Sequence, residues 1–550
     1  MNDKSGQSAS IWMSQDVPAM PPIVSGAHAD VCIVGAGIAG LTTTYCLMKE
    51  GKSIILLDAG QPGGGMTQRT TAHLSNALDD RYVEIERLHG KTGAQLAAHS
   101  HTAAIDWIDK VRFEERIECD FTRLDGYLFA PSDDARHLIE EEWQAARRAG
   151  VEGVERLDRL PGNMFETGPC LRFPRQAQFH PLKYVSGLLK AIRAGGGRVF
   201  SNAHVTSVDS DTPIKLETSQ GSVVTADAVV IATNTPINNL LTIHTKQAAY
   251  ISYVIGARIP AGSIEPALFW DTLDPYHYVR IHRQVSAREG EDSVLIVGGE
   301  DHKAGQADDG EARYARLEAW ARERFPMMNA VVFRWSGQVM ESVDGLAFIG
   351  RNPGDTDNIY IATGDSGMGM THGTIAGLLI TDLIMKRESP WSSLYDPSRR
   401  PVHAAGEFIR ESLNVAAQYT DWVTGGDVET EAQIPRAQGA VLRDGLTKIA
   451  IYRDARGDLH TVFGRVPASG LHRGLEPCRK YVGLSLSRLK VRQIRKSSQW
   501  SCDERPHPAQ AGRYLGNVMA ESLFCTDESY PAPFQPSDGV DGSSPGVERP

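Results

Sequence analysis

The chain has 550 residues, 41% of them hydrophobic and 23% charged, with a formal net charge of -11. That length accommodates two or more domains and a substantial core, while the negative charge argues against general nucleic-acid affinity. No apolar stretch is long enough to span a bilayer. The opening MNDKSGQSASIWMSQDVPAM lacks a basic run followed by an apolar one and does not read as a signal peptide. Residues 1–27 are therefore taken as an N-terminal extension. The seven cysteines form no framework. Cys32 and Cys46 read as small core residues, Cys119, Cys170, Cys478, Cys502 and Cys525 are scattered, and a reducing cytoplasm fits best.

The first organised stretch runs from Asp30 to Gly60, DVCIVGAGIAGLTTTYCLMKEGKSIILLDAG. It reads as strand, glycine turn, helix and second strand. Val31 to Val34 suits a buried parallel strand, and Gly35, Gly37 and Gly40 fall at G-x-G-x-x-G spacing around Ala36, Ile38 and Ala39. Gly35 permits the tight turn, Gly37 lets amides approach a pyrophosphate, and Gly40 lets helix and strand pack closely. Asp58, next to Ala59, ends the second strand where a carboxylate can hold an adenosine ribose. This is a dinucleotide site in a doubly wound, Rossmann-like α/β domain, and the motif alone does not separate NAD from FAD.

Next comes QPGGGMTQRTTAH, Gln61 to His73. It can wrap a cofactor or serve as an ordinary surface loop. Helical patterns follow at Ala94 to Val111 and Asp134 to Ala149, and His180-Pro181 opens a helix to Arg193. The strand logic restarts from Gly195 to Val208 and from Ser222, ending at Ala232-Thr233. From residue 245 to 340 alternating strands with one helix near Glu311 to Arg324 predict an inserted antiparallel sheet that can roof a cofactor pocket. Then GLAFIG and NIYIATGDSGMGMTHGTIAGLLITDLIM predict a further strand, glycine turn and helix. The helix is expected near Thr371, with Gly364, Gly367, Met368, Gly369 and Met370 just upstream. Its free amides suit the anionic N1 and C2=O edge of a reduced flavin.

Nucleotide-binding segments at the start, middle and end set FAD apart from NAD. From about Asp30 to Lys386 the chain resembles the FAD-dependent oxidases of the D-amino-acid oxidase and glycine oxidase superfamily. The resemblance rests on VGAGIAGL, RTTAHL, ADAVVIATN, DGLAFIG and ATGDSGMGMTHG. It implies an FAD-dependent oxidoreductase domain over 28–400, an adenine contact at the Val205 backbone, and a flavin lined by Thr67 and by Arg69, Thr70, Thr71 and His73. It also implies oxidation of a C–N or similar bond by hydride transfer to flavin N5. No residue matches a covalent flavin attachment.

Residues 401–432 read as a helical linker, and 433–461 resemble the opening of an all-β Rieske domain, which holds a 2Fe-2S cluster. A subfamily of these oxidases carries that domain, and VGGEDHK at Val297 to Lys303 resembles it too. The C-x-H and C-x-x-H ligand patterns that such a cluster needs are absent after Thr461. The remainder, 462–550, has neither alternation nor a helical stripe. It reads as a disordered tail, as a basic patch for an anionic partner between Arg479 and Lys496, or as a displaced reading frame. Back-translating Phe463 to Glu476 with permitted codons and reading one base later yields SAVCPHLGCIVAW. Gly483 to Leu489 in the same frame yields DCPCHGS. Those are two complete Rieske ligand loops, which points to a single-base insertion near Val462. As written the chain has no cluster, and no metal ligands are assigned.

The expected substrate is a small amine or amino-acid-like molecule lying under the inserted sheet, with oxygen or a separate carrier as acceptor. Tyr278 and Arg280 alternate onto one face of YHYVRIHR, where they can clamp a carboxylate or form a solvated strand face. His302 can touch substrate or flavin, or serve structurally. The rival readings are an NAD(P)H-dependent flavin reductase or monooxygenase, and an inactive flavoprotein with a basic interaction tail.

Overall fold

A computed structural model describes residues 8–399 and 430–462, apart from 24, 133–134, 163–164, 166, 238–242, 284–292, 308, 437, 445–446, 454–455 and 458. Most of the expected linker and nearly all of the expected tail lie outside the described residues. In chain order the elements begin with β1 (Ala27–Val34), α1 (Ile38–Lys49), β2 (Ile54–Leu57), β3 (His73–Leu74), α2 (Arg81–Glu114), β4 (Thr122–Phe129), α3 (Arg136–Arg148), β5 (Glu155–Leu157), β6 (Cys170–Gln178) and α4 (Pro181–Ala194). There follow β7 (Arg198–Phe200), β8 (Val205–Asp209), β9 (Ile214–Thr218), β10 (Val223–Asn234), β11 (Gln247–Ile259), β12 (Leu268–Asp271), β13 (His277–His282) and β14 (Ser293–Lys303). The rest are α5 (Gly310–Arg324), β15 (Val331–Ser342), β16 (Phe348–Arg351), β17 (Ile359–Thr363), α6 (Gly369–Ile384), α7 (Ser392–Tyr395), β18 (Gln438–Asp444), β19 (Thr447–Arg453) and β20 (Leu459–Val462).

The first sheet has the order β16-β17-β10-β1-β2-β7, parallel from β17 to β7. Its strands are short apolar runs because both faces are covered. Val31 and Ile33 face the core shared with α1, α4 and α6, while Cys32 and Val34 face the hairpin β8–β9. Small residues set the helix spacing. A Cβ at Gly377 would meet the Thr42 side chain at 2.3 Å, and one at Gly373 would meet Ile38 at 2.6 Å, so α6 rides directly on α1.

The second sheet runs β15-β11-β14-β13-β12-β4-β6-β3, with β5 on β6. The expected sheet over 245–340 is thus only part of it. Strands from the 122–178 stretch extend it, and β12 joins β4 in a parallel pair. Alternation inside 245–340 was readable; a partner strand more than a hundred residues upstream leaves no local trace. One face packs Tyr253, Ile255, Val279 and Leu295 against α5, and the other turns Val254, Trp270, Ile296 and Trp335 toward the first sheet.

β18, β19 and β20 form a separate three-stranded antiparallel sheet in the segment expected to open a Rieske domain. Cys32, Cys46, Cys119 and Cys170 are free thiols. No described helix is long and apolar enough to cross a membrane.

Candidate active site

Two helix N-termini define the cofactor cradle. α1 starts at N-cap Gly37 and α6 at N-cap Met368, neither capped by its own N-cap side chain, so apart from Ile38 N, which Thr67 takes, their leading amides remain for a ligand. Gly35 (φ +103) turns under β10, where a Cβ would lie 2.3 Å from the Ala232 oxygen. That contact brings Ala232 and Thr233 to the glycine turn. At Gly40 a Cβ would sit 1.8 Å from the Gly35 oxygen, leaving room for hydrogen only. Asp58 accepts from Ala36 N at 2.7 Å and from Gly60 N at 2.5 Å, so its carboxylate stiffens the turn. The Asp58 carbonyl accepts from Ala203 N at 2.8 Å, which sets Val205 just beyond it in chain. Thr67 Oγ1 accepts from Ile38 N at 3.1 Å and thereby joins the cradle.

α6 begins two residues before the expected Thr371, at Gly369. Gly364 and Gly367 upstream both have positive φ, at 69° and 72°. Asp365 lies between them, its carbonyl accepting from Met368 N at 2.8 Å. Thr371 and His372 join a buried chain: His101 Nδ1 lies 2.9 Å from Thr371 Oγ1 and its Nε2 lies 3.2 Å from His372 Nε2. Burial pushes the His372 imidazole down to about 4.

Over this cradle hangs the sheet face bearing Tyr276, Tyr278 and Arg280. Tyr278 lies across Gly298, where a Cβ would meet its ring at 2.2 Å, and its hydroxyl is 2.8 Å from Ser252 Oγ. His73 stands edge-on to it with centroids 5.7 Å apart, and burial lowers His73 to about 3.

Two expectations are corrected here. Arg280 does not present its guanidinium to a substrate carboxylate. It is 1% exposed, and its Nη1 donates to Thr71 O at 2.9 Å, Ala72 O at 2.8 Å and Phe179 O at 3.2 Å. His302 faces away from the cradle, stacked on Tyr253 with centroids 5.8 Å apart on the α5 side. The reason is a bulge. Tyr253 pairs with Gly299, yet Ile251 pairs with His302, so β14 carries one extra residue. Glu300 takes a positive φ of 58° and sends its carboxylate to Arg316 at 2.7 Å, while Asp301 turns toward Ser252.

The residues that do converge were not singled out from the sequence. Tyr276 donates to Asp79 Oδ2 at 3.3 Å, and that oxygen would lie 1.7 Å from a Cβ on Gly367. Asp365 Oδ2 would lie 2.4 Å from a Cβ on Gly369. Glu341 on β15 completes the group, feeling the charges of Asp79, Asp301 and Asp365. Burial pushes Asp79 and Asp301 up to about 7 and Asp365 up to about 6, and holds Glu341 well above its ordinary range. Asp301 Oδ1 and Asp365 Oδ1 are buried without a hydrogen-bond donor. Asp365 was visible inside the ATGDSG motif and Asp301 beside His302. Asp79 carries no sequence signal, because the turn that aims it is tertiary.

Two helix N-termini set side by side under a largely antiparallel roof fit a flavin-dependent oxidoreductase. The chain belongs to the FAD dependent oxidoreductase family, which matches residues 30–383. Over 455 residues it is 28% identical to the putative Rieske 2Fe-2S iron-sulfur protein YhfW of Bacillus subtilis, covering 82% of this chain and 87% of that one. It is 27% identical to gamma-glutamylputrescine oxidoreductase of Escherichia coli over 371 residues, or 64% of this chain and 83% of the relative. Among solved structures, glycine oxidase from Geobacillus kaustophilus superposes with a TM-score of 0.57 at 18% identity, over 68% of this chain and 99% of that one. The residues present fit FAD. Among the described residues there is no group of three or more His, Cys, Asp or Glu placed to hold a metal, and the stretch after Val462 lies outside them.

Proposed function

We propose that the chain oxidises a cationic amine, with Gly35 to Gly40, Asp58, Val205, Thr233 and the start of α6 holding FAD. The carrying observation is the charge of the pocket wall. Asp79, Asp301, Glu341 and Asp365 converge there, while Arg280 is buried with its Nη1 on three backbone oxygens. A substrate ammonium adds a counter-charge to those buried carboxylates. Asp79 and Asp301, near 7, are poised to take one proton from the ammonium and leave the neutral amine. Bound FAD supplies the two-electron acceptor at N5. The amine named in the gamma-glutamylputrescine relative supports this reading; the catalytic assignment of Tyr278 is limited to shaping the wall with Ser252 and His73. Anaerobic bleaching of the flavin by a panel of diamines and zwitterionic amino acids tests it. Diamines are expected to bleach faster. Preferential bleaching by amino acids, or by NADPH alone, would overturn it.

We further propose that the native frame continues into an intact Rieske domain receiving these electrons one at a time, and that the written frame after Val462 is displaced by one base. The support is the pair of ligand loops in a single alternative frame, together with the similarity to a putative Rieske protein along most of both chains. As written, the acceptor is oxygen or a separate carrier. Resequencing codons 455 to 505 from genomic DNA decides it: a surplus base supports the displacement, and the written frame refutes it. The free thiols support a reducing, cytoplasmic location.

A further inference from the structure

Five consecutive backbone oxygens, Gln68 to Ala72, are each held by a side chain from elsewhere. Ser10 Oγ donates to Gln68 O at 2.6 Å, Trp335 Nε1 to Arg69 O at 2.8 Å and Trp12 Nε1 to Thr70 O at 2.7 Å. Arg280 holds Thr71 O and Ala72 O. Two of the four donor side chains therefore come from the N-terminal extension. The Arg69 side chain returns the contact, donating to Ser8 Oγ at 3.0 Å and Ser8 O at 3.1 Å.

The extension is anchored to do this. Trp12 is fully buried, edge-on to His180 and His282 with centroids 4.9 and 5.1 Å away. The Arg280 guanidinium lies 5.3 Å over its ring, so the arginine that fixes Thr71 and Ala72 also seats the tryptophan that fixes Thr70. Beyond Trp12 the chain stays tied down: Ser186 Oγ on α4 donates to Asp16 O at 3.3 Å, and Ser201 N donates to Pro21 O at 3.2 Å.

We infer that Ser8 to Trp12 is a clasp on the flavin-lining loop, and that Ser10 and Trp12 are positioning residues for FAD. This rests on the reading that Arg69 to His73 lines the flavin. A loop whose backbone oxygens at five successive positions are engaged loses the freedom that would otherwise be frozen when the cofactor binds. Trp12 and Ser10 contribute that order from outside the nucleotide-binding domain, so the cofactor site includes residues ahead of its own first strand.

The test uses the full chain with Ser10→Ala, Trp12→Phe and a deletion of residues 1–14. Each apoprotein is titrated with FAD by flavin fluorescence, and the visible absorption and circular dichroism of the bound flavin are recorded. Loss of one buried hydrogen bond at the loop is expected to raise the FAD Kd roughly three- to tenfold for either substitution. The deletion is expected to raise it further and to alter the flavin dichroism. Wild-type Kd and flavin spectra in Ser10→Ala, with only the thermal midpoint lowered in Trp12→Phe, would overturn the clasp. His73→Ala serves as the control on the underlying reading: an unchanged flavin spectrum there would remove the loop from the flavin site and the clasp with it.

Discussion

Tyr276 reaches from the roof to Asp79 at 3.3 Å, and Asp79 in turn rests on Gly367 in the turn ahead of α6. The link makes the substrate wall and the cofactor cradle one electrostatic unit. Asp79 and Asp301 have folded values raised from 3.8 to about 7, chiefly by burial. Raised carboxyls hold their protons in the folded state, so the wall is mostly neutral below pH 6 and anionic above pH 7. The KM for a diamine is accordingly expected to fall as pH rises through about 7, with no such limb for an uncharged analogue. Asp301→Asn is expected to raise the diamine KM by roughly tenfold and flatten the profile. A pH series of initial rates checks both.

The same shifts affect stability with a defined sign. As pH rises from about 4 through 7, the advantage of the protonated buried carboxyls is lost, so the apoprotein weakens toward alkaline pH. A diamine that pairs with them should restore part of the thermal midpoint at pH 8 and little at pH 5.5.

His180 provides an opposite dependence. Its Nδ1 accepts from Lys183 N at 3.3 Å as the N-cap of α4, and burial lowers it from 6.5 to about 4. The neutral ring is required, so its contribution is present above pH 6.5 and lost as pH falls toward 4. His180→Asn keeps a good capping oxygen without titrating. Relative to wild type, the variant's thermal midpoint should improve as pH falls from 7 to 4.5.

Arg280→Met separates the two roles considered for that residue. Leaving three buried oxygens without a donor is expected to cost about 2–4 kcal/mol in unfolding free energy and to weaken FAD binding for every substrate alike. Selective loss of carboxylate-bearing substrates, measured as kcat/KM ratios, would return Arg280 to substrate recognition.

Gly40→Ala places a methyl 1.8 Å from a backbone oxygen that cannot yield. A loss of roughly 3 kcal/mol is expected, with FAD uptake failing. Gly65→Ala, where nothing lies within 4 Å of the added Cβ, is the matched control.

The elements of the proposed cofactor half were legible because their signals are local. Gly35, Gly37, Gly40 and Asp58 belong to one strand-turn-helix-strand unit, and Gly367 to Thr371 belong to another. The substrate half was not. Alternation correctly put Tyr278 and Arg280 on one face, yet it carries no information on what Arg280 meets, which is the Thr71 and Ala72 backbone two hundred residues upstream. For His302 the sequence left a substrate contact and a structural role open, since the bulge that turns it onto Tyr253 depends on the register with β11. Asp79, in an irregular turn, acquires its role only when Gly367 is packed beneath it.

The extra residue in β14 has an evolutionary consequence. A one-codon deletion at Glu300 would return the strand to simple pairing with Asp301 opposite Ser252 on the roof and His302 still opposite Ile251 on the α5 side, removing only the Glu300 carboxylate that meets Arg316. The face that Asp301 and His302 each take is thus set by their partners Ser252 and Ile251 on β11, and a loss of the bulge leaves the acid on the roof. Relatives that lack the extra residue but keep the acid should therefore share the substrate charge preference, because strand length at this point can drift without altering the wall.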